Sequence, residues 1–177
     1  MMAAVAAAAG GCTPAPRYHG KPETRAGERP ERRRPATAPS ELPGFTFRHP
    51  LRNLRDSRIN SVFGLRTDPL YGTREFHQGI DIAAETGEDV FAASAGEVGF
   101  AGRQRGYGKV IIIEHPEGYA SVYAHLAVVT VRKGDTVEIG QRIGKVGLSG
   151  NSTGSHLHFE IRLEGEALDP LDFIRID

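Results

Sequence analysis

The sequence predicts an all-β fold: a compact antiparallel sandwich or split barrel with duplicated hairpin units, preceded by a disordered N-terminal tail. Three observations carry this expectation. From Phe45 onward, short apolar-rich runs alternate with glycine-containing turns. No stretch keeps helical periodicity over three turns. One glycine-punctuated pattern also occurs twice: Gly87-Glu88-Asp89-Val90 followed by Gly96 to Gly102, then Gly134-Asp135-Thr136-Val137 followed by Gly144 to Gly150. The copies lie 47–48 residues apart. Two copies are too few for a solenoid or propeller and are expected to form two similar hairpins in one domain.

In chain order, Asp89–Phe91 and Gly96–Ala101 are the predicted strands of the first copy. Lys109–Glu114 and Ala120–Ala124 follow, joined through the turn Pro116-Glu117-Gly118 into a hairpin running from Lys109 to His125. Thr136–Val137 and Arg142–Val146 belong to the second copy. His156–Leu163 closes the series with strict alternation of side-chain character. Pro170–Ile174 is the one segment suited to a short helical turn. Glycine-hairpin duplication is also similar to biotinyl and lipoyl carrier domains, which present a modified lysine at a hairpin tip. The corresponding tips here, Ala93-Ser94-Ala95 and Ile139-Gly140-Gln141, hold no lysine, which argues against a carrier.

A length of 177 residues with 39% hydrophobic content suits one domain with a core. Residues 1–44 hold seven Lys/Arg against four Asp/Glu, and residues 45–177 hold 15 against 18. The folded part therefore has no basic bias, and nucleic acid is not an expected partner. Cys12 is the only cysteine, which excludes a disulfide within the chain and a thiolate zinc site. Residues 13–44, rich in Pro, Arg, Glu and Thr, have almost no large apolar side chain and are expected to be a disordered linker. Residues 1–12 resemble a truncated lipoprotein signal: Ala9-Gly10-Gly11-Cys12 sets small residues before a cysteine, as cleavage and lipidation require. No positive segment precedes the apolar stretch, which fits a start further upstream.

The chemistry is carried by histidines. In His77-Gln78-Gly79-Ile80-Asp81 and His156-Leu157-His158, three ligands for a catalytic zinc ion are available with one histidine over. On a strand from His156, Leu157, Phe159, Ile161 and Leu163 form a core face, while His156, His158, Glu160, Arg162 and Glu164 form the other. The Cα atoms of the two imidazoles would then lie about 6.6 Å apart. His77 and Asp81 would be about 13 Å apart on a straight strand, so Gly79 is expected to allow a bend. His125, in Tyr123-Ala124-His125-Leu126, is expected to share a face with Ser121 and Tyr123, while Val122, Ala124 and Leu126 face the core. His115 reads as structural, and His19 and His49 lie in or near the tail.

At this point the sequence resembles a known family. Ser61-Val62-Phe63-Gly64-Leu65-Arg66, Phe76 to Ala83, Val122 to Leu126 and Gly154 to Glu160 look like the signature blocks of lysostaphin/LytM-type zinc metallopeptidases, in the family's order. The resemblance covers roughly residues 58–175 and makes residues 45–177 the expected metallopeptidase domain. It implies that His77, Asp81 and His158 bind Zn2+ and that His125 and His156 are catalytic. It implies an endopeptidase acting on peptidoglycan stem peptides, with D-Ala–diaminopimelate cross-links the expected target. The expected setting is the cell envelope, periplasmic, as a monomer that a lipidated Cys12 tethers to a membrane. Glu160 is a candidate to support His158, Tyr71 a candidate oxyanion donor, and Arg66 a candidate contact for a substrate carboxylate. The alternative is a catalytically silent envelope scaffold of the same fold that activates a separate amidase. Such scaffolds lose metal or catalytic residues, and all five are present here.

Overall fold

A computed structural model describes residues 47–52, 58–67 and 74–174 of the chain. The tail expectations, including Cys12 and the linker, and Tyr71 lie outside the described residues. The architecture of the described residues is all-β, as predicted, with single-turn 3-10 segments at Pro116–Gly118 and Pro170–Asp172. Among the described residues no helix is long and apolar enough to cross a membrane.

Twelve strands follow in order: β1 (Ile59–Ser61), β2 (Gly64–Thr67), β3 (Arg74–His77), β4 (Ile80–Ala83), β5 (Asp89–Phe91), β6 (Gly96–Gln104), β7 (Gly108–Glu114), β8 (Tyr119–Val129), β9 (Thr136–Val137), β10 (Arg142–Val146), β11 (His156–Leu163) and β12 (Glu166–Leu168). The main antiparallel sheet runs β1-β4-β11-β8-β7-β6-β9 and does not close into a barrel, while β2 and β3 form a separate hairpin. All seven predicted strands are present, several extended by a few residues. Those not foreseen, β1 to β4 and β12, are only three or four residues long.

The duplicated units are real but they exchange strands. β5 of the first copy pairs with β10 of the second, Asp89 opposite Lys145, and β9 pairs with β6, Thr136 opposite Glu97. Backbone bonds continue the exchange: Ala92 N to Gln141 O at 2.8 Å and Val98 N to Asp135 O at 2.8 Å. The two similar hairpin units expected in one domain are an interlocked pair, whose strand edges are satisfied across the repeat.

The core follows from alternation. Leu157, Phe159 and Ile161 of β11 meet Ile80 and Ile82 of β4, and Ile111 and Ile113 of β7, in one buried cluster. Val110 and Ile112, one residue out of phase on β7, join Ala120, Val122 and Ala124 of β8 in a second cluster on the opposite face. This corrects the face assigned to β8. Tyr123 belongs to the main core with Leu126, whereas Val122 and Ala124 lie on the other face. The physical reason is His125 at φ +59, a left-handed residue that interrupts the period of two.

Beneath the main core, one directed chain of hydrogen bonds runs through buried polar groups. Ala93 N–H donates to the Tyr123 hydroxyl (2.7 Å), and Tyr123 and Ser121 hydroxyls lie 2.9 Å apart. Ser121 Oγ is 2.8 Å from His115 Nε2, and His115 Nδ1 is 2.7 Å from the Ala95 carbonyl. With Nδ1–H donating to that carbonyl, Nε2 of the neutral ring is left as an acceptor. His115 is thus structural, as the sequence suggested, and burial holds its pKa below the ordinary 6.5.

Candidate metal centre

His77 ends β3 and Asp81 sits in β4, with Gln78 and Gly79 making the corner between them. His158 stands opposite Asp81 in the β4–β11 ladder, which places both on one sheet face. The chain bends at Gly79, as expected, and close approach to β11 also demands a glycine there. A Cβ on it would lie 2.3 Å from the Phe159 carbonyl oxygen and 2.8 Å from Glu160 Cγ.

Three side-chain atoms converge. Asp81 Oδ1 is 2.8 Å from His158 Nδ1 and 3.1 Å from His77 Nε2, and the two nitrogens are 3.1 Å apart. All three residues are buried. The second nitrogen of each ring fixes its tautomer. His77 Nδ1 is 2.9 Å from the Val62 carbonyl, which only accepts, so Nδ1 carries the proton. His158 Nε2 is 2.8 Å from Glu160 Oε1, which likewise draws the proton to Nε2. In the neutral rings, two nitrogen lone pairs and a carboxylate oxygen therefore point at one another, and such a set calls for a cation. Tetrahedral zinc with bonds near 2.0–2.1 Å separates its ligands by about 3.3 Å, so the three atoms fit after a small opening. His77, Asp81 and His158 together can hold a metal ion.

The electrostatics agree. Burial works to raise the Asp81 pKa, but hydrogen bonds from His158 and His77 outweigh it and hold the carboxyl well below the usual range. Burial works to lower the His158 pKa, but bonds to Asp81 and Glu160 outweigh it and push it up to about 9. A metal ion entering near neutral pH therefore displaces a proton from His158.

His125 and His156 border the centre. Their ring centroids are 4.7 Å apart, and His125 lies 5.8 Å from the His158 ring. His156 Nε2 is 3.6 Å from Asp81 Oδ1. Each Nδ1 faces a carbonyl, Ser149 for His125 (2.7 Å) and Gly154 for His156 (2.8 Å), so each neutral ring keeps an Nε2 lone pair. Burial lowers the His125 pKa to about 4, which leaves the ring neutral at physiological pH. Its unusual backbone is braced: His125 N–H donates to the Tyr107 carbonyl at 2.9 Å, and Asn151 N–H donates to the Gly106 carbonyl at 2.8 Å. All five histidine and aspartate residues singled out from the sequence thus gather at one place.

Glu160 is fully buried and supports His158. It also accepts from the Tyr107 hydroxyl at 2.7 Å and from Arg162 Nε at 2.6 Å. Arg162 was placed on the His158 face by alternation but given no role, and Tyr107 and Gln78 were not foreseen, the Gly106-Tyr107-Gly108 turn and the Gln beside His77 being their sequence signals. Arg66 has a different partner from the expected substrate carboxylate. Its NH1 donates to Asp81 Oδ2 at 2.9 Å and to Ser61 Oγ at 2.6 Å. Its Nε is buried with no hydrogen-bond partner among the described residues, a cost of about 1–3 kcal/mol.

Comparison with known proteins agrees with this geometry. Residues 75–170 match the model of peptidase family M23. The chain is 43% identical over 115 residues to the DD-carboxypeptidase/endopeptidase Mpg of Neisseria meningitidis serogroup B, 65% of this chain and 26% of that protein. It is 42% identical over 99 residues to the murein hydrolase activator NlpD of Escherichia coli K12, 55% of this chain and 26% of that protein. The chain thus spans about a quarter of each relative. A zinc-containing peptidase from Vibrio cholerae superposes with a TM-score of 0.66 at 32% identity, covering 75% of this chain and 40% of that one. With the family's match running over more than half its length, the chain belongs to peptidase family M23, the lysostaphin/LytM-type resemblance read from its sequence.

Proposed function

We propose that this protein is a zinc-dependent endopeptidase that hydrolyses peptide cross-links of bacterial peptidoglycan, with D-Ala–diaminopimelate bonds as its target. The observation that carries the reading is the convergence of the His77 and His158 lone pairs on Asp81 Oδ1, beside two further histidines whose Nε2 atoms are free to exchange a proton. His77, Asp81 and His158 would hold the zinc ion. Bound there, zinc supplies a Lewis acid for the scissile carbonyl and brings the pKa of water toward about 7.

The chain's own residues do the rest. The Ser149 carbonyl fixes the His125 tautomer, so Nε2 is presented as the proton acceptor for the attacking water. That proton can then pass to the leaving amine. The Gly154 carbonyl orients His156 in the same way, and a proton taken up at its Nε2 would give an N–H to stabilise negative charge developing on the carbonyl oxygen. The Val62 carbonyl and Glu160 keep His77 and His158 in ligating tautomers.

The envelope setting, the monomeric state and a membrane tether through Cys12 belong to the same proposal. Similarity to NlpD favours a second reading, an activator of another hydrolase. Retention of all five site residues supports the enzyme instead. Digestion of purified sacculi, with released muropeptides identified by mass, tests the choice. The enzyme reading expects cleaved cross-links with the wild type and none with Asp81→Ala, which should also lose its zinc. Intact sacculi despite bound zinc would favour the activator.

A further inference from the structure

We propose that Arg66 is a positioning residue: it captures the second oxygen of Asp81 so that this carboxylate ligates through one oxygen only and a coordination position stays open in front of His125 and His156. The inference rests on the zinc reading above and concerns how that site is kept incomplete.

The two oxygens of Asp81 have different partners. Oδ1 faces both ligand nitrogens, at 2.8 and 3.1 Å, whereas Oδ2 accepts from Arg66 NH1 at 2.9 Å. A carboxylate with Oδ2 free can turn both oxygens toward an ion and fill the place that water or substrate needs. An N–H donor on Oδ2 opposes that rotation, because turning would break a charge-assisted bond.

The clamp is built from several elements. Ser61 stands opposite Asp81 in the β1–β4 ladder and receives a second bond from the same NH1 at 2.6 Å. Arg66 itself lies on β2, whose partner strand β3 ends in His77, opposite Gly64. The hairpin that delivers one metal ligand thus also delivers the residue that restrains another. Arg66 Nε is buried with no hydrogen-bond partner among the described residues, so the bonding of the guanidinium is concentrated at NH1, on Ser61 and Asp81. Its placement serves the carboxylate.

Cobalt(II) replacement reads coordination number directly, since four-coordinate cobalt absorbs visible light far more strongly than five- or six-coordinate cobalt. Wild-type protein, Arg66→Met and Arg66→Lys would be loaded with cobalt and compared by absorptivity per bound metal, with circular dichroism to verify folding. Arg66→Met removes the donor, and Arg66→Lys keeps the charge but not the planar donor that spans Ser61 and Asp81. Both are expected to bind one metal with a clearly weaker band, and their zinc forms to lose about 10–100-fold in kcat with KM little changed. Wild-type band intensity in both variants overturns the inference, even if activity falls. If Arg66→Met does not fold, Arg66→Lys alone decides in the same way. Failure of the wild type to take up cobalt or zinc overturns the zinc reading itself, a result distinct from unchanged spectra.

Discussion

In Glu160→Gln, a buried oxygen that only accepts is exchanged for a nitrogen that only donates, with almost no change in shape. Four N–H or O–H groups converge on the wild-type carboxylate: His158 Nε2 at 2.8 Å, the Tyr107 hydroxyl at 2.7 Å, and Arg162 through Nε at 2.6 Å and through NH2. A glutamine can satisfy only one side. If its NH2 faces Arg162, two donors oppose each other in the interior, which costs about 1–3 kcal/mol of stability. If it faces His158 instead, Nε2 must accept, the ring proton moves to Nδ1, and the lone pair that faces Asp81 is lost. The first route costs stability and the second weakens the metal site, where loss of such a supporting partner typically lowers metal affinity about 10–100-fold, or about 1.4–2.7 kcal/mol. Competition with a chromophoric chelator measures zinc affinity, and thermal unfolding of the metal-free protein measures the stability cost. Unchanged zinc affinity together with an unchanged melting temperature would refute the tautomer argument.

Three further outcomes are expected. His125→Ala and His156→Ala should keep stoichiometric zinc by elemental analysis but lose about 10²–10⁴ in peptidoglycan hydrolysis, whereas residual activity within a few-fold of wild type would make either residue structural. Because burial lowers the folded-state pKa of His115 below its ordinary 6.5, the unfolded chain binds more protons as pH falls. The stability that neutral His115 contributes is therefore complete above about pH 6.5 and is lost as pH drops through that value toward the folded-state pKa. Urea midpoints at pH 7.5 and 5.5 should diverge less in His115→Asn than in wild type, and equal divergence would remove His115 from the acid response. Gly79→Ala places a methyl group 2.3 Å from the Phe159 carbonyl oxygen, and this overpacking should cost about 1–3 kcal/mol in denaturant unfolding. A neutral effect would mean that β4 and β11 can separate without penalty.

The site was legible where local spacing determines geometry. His156 and His158 share a strand face by alternation alone, and the buried Leu157 and Phe159 between and beyond them confirm the phase. His77 and Asp81 were legible as candidate ligands joined by a bend at Gly79, whereas the close approach of Gly79 to β11 was not, because it is a tertiary fact. The face of β8 was misread on account of one residue. Nothing in Tyr123-Ala124-His125-Leu126 announces a left-handed histidine, and the brace from Tyr107 comes from another turn. Glu160 could be placed on the right face but not buried, since its surroundings, Tyr107, Gln78 and Arg162, are brought together only by the fold. β1 to β4 escaped for a different reason. They are short, and β2 and β3 carry exposed Leu65 and Phe76 beside charged Arg66 and Glu75, a pattern without a consistent buried face.

Strand exchange between the two repeats has a consequence for the order in which the chain can become active. β5 waits for β10 and β6 waits for β9, so neither repeat completes its own edges while the other is missing. Pairing across some fifty residues makes closure slow relative to local hairpins. His158 arrives with β11, after every strand of both repeats has been synthesised. A nascent or truncated chain therefore has His77 and Asp81 but not the third candidate ligand, and no scaffold to hold the two in place. On the proposed function, hydrolytic competence would wait for the synthesis of β11, a built-in safeguard for a protein whose proposed substrate is the wall of a living cell.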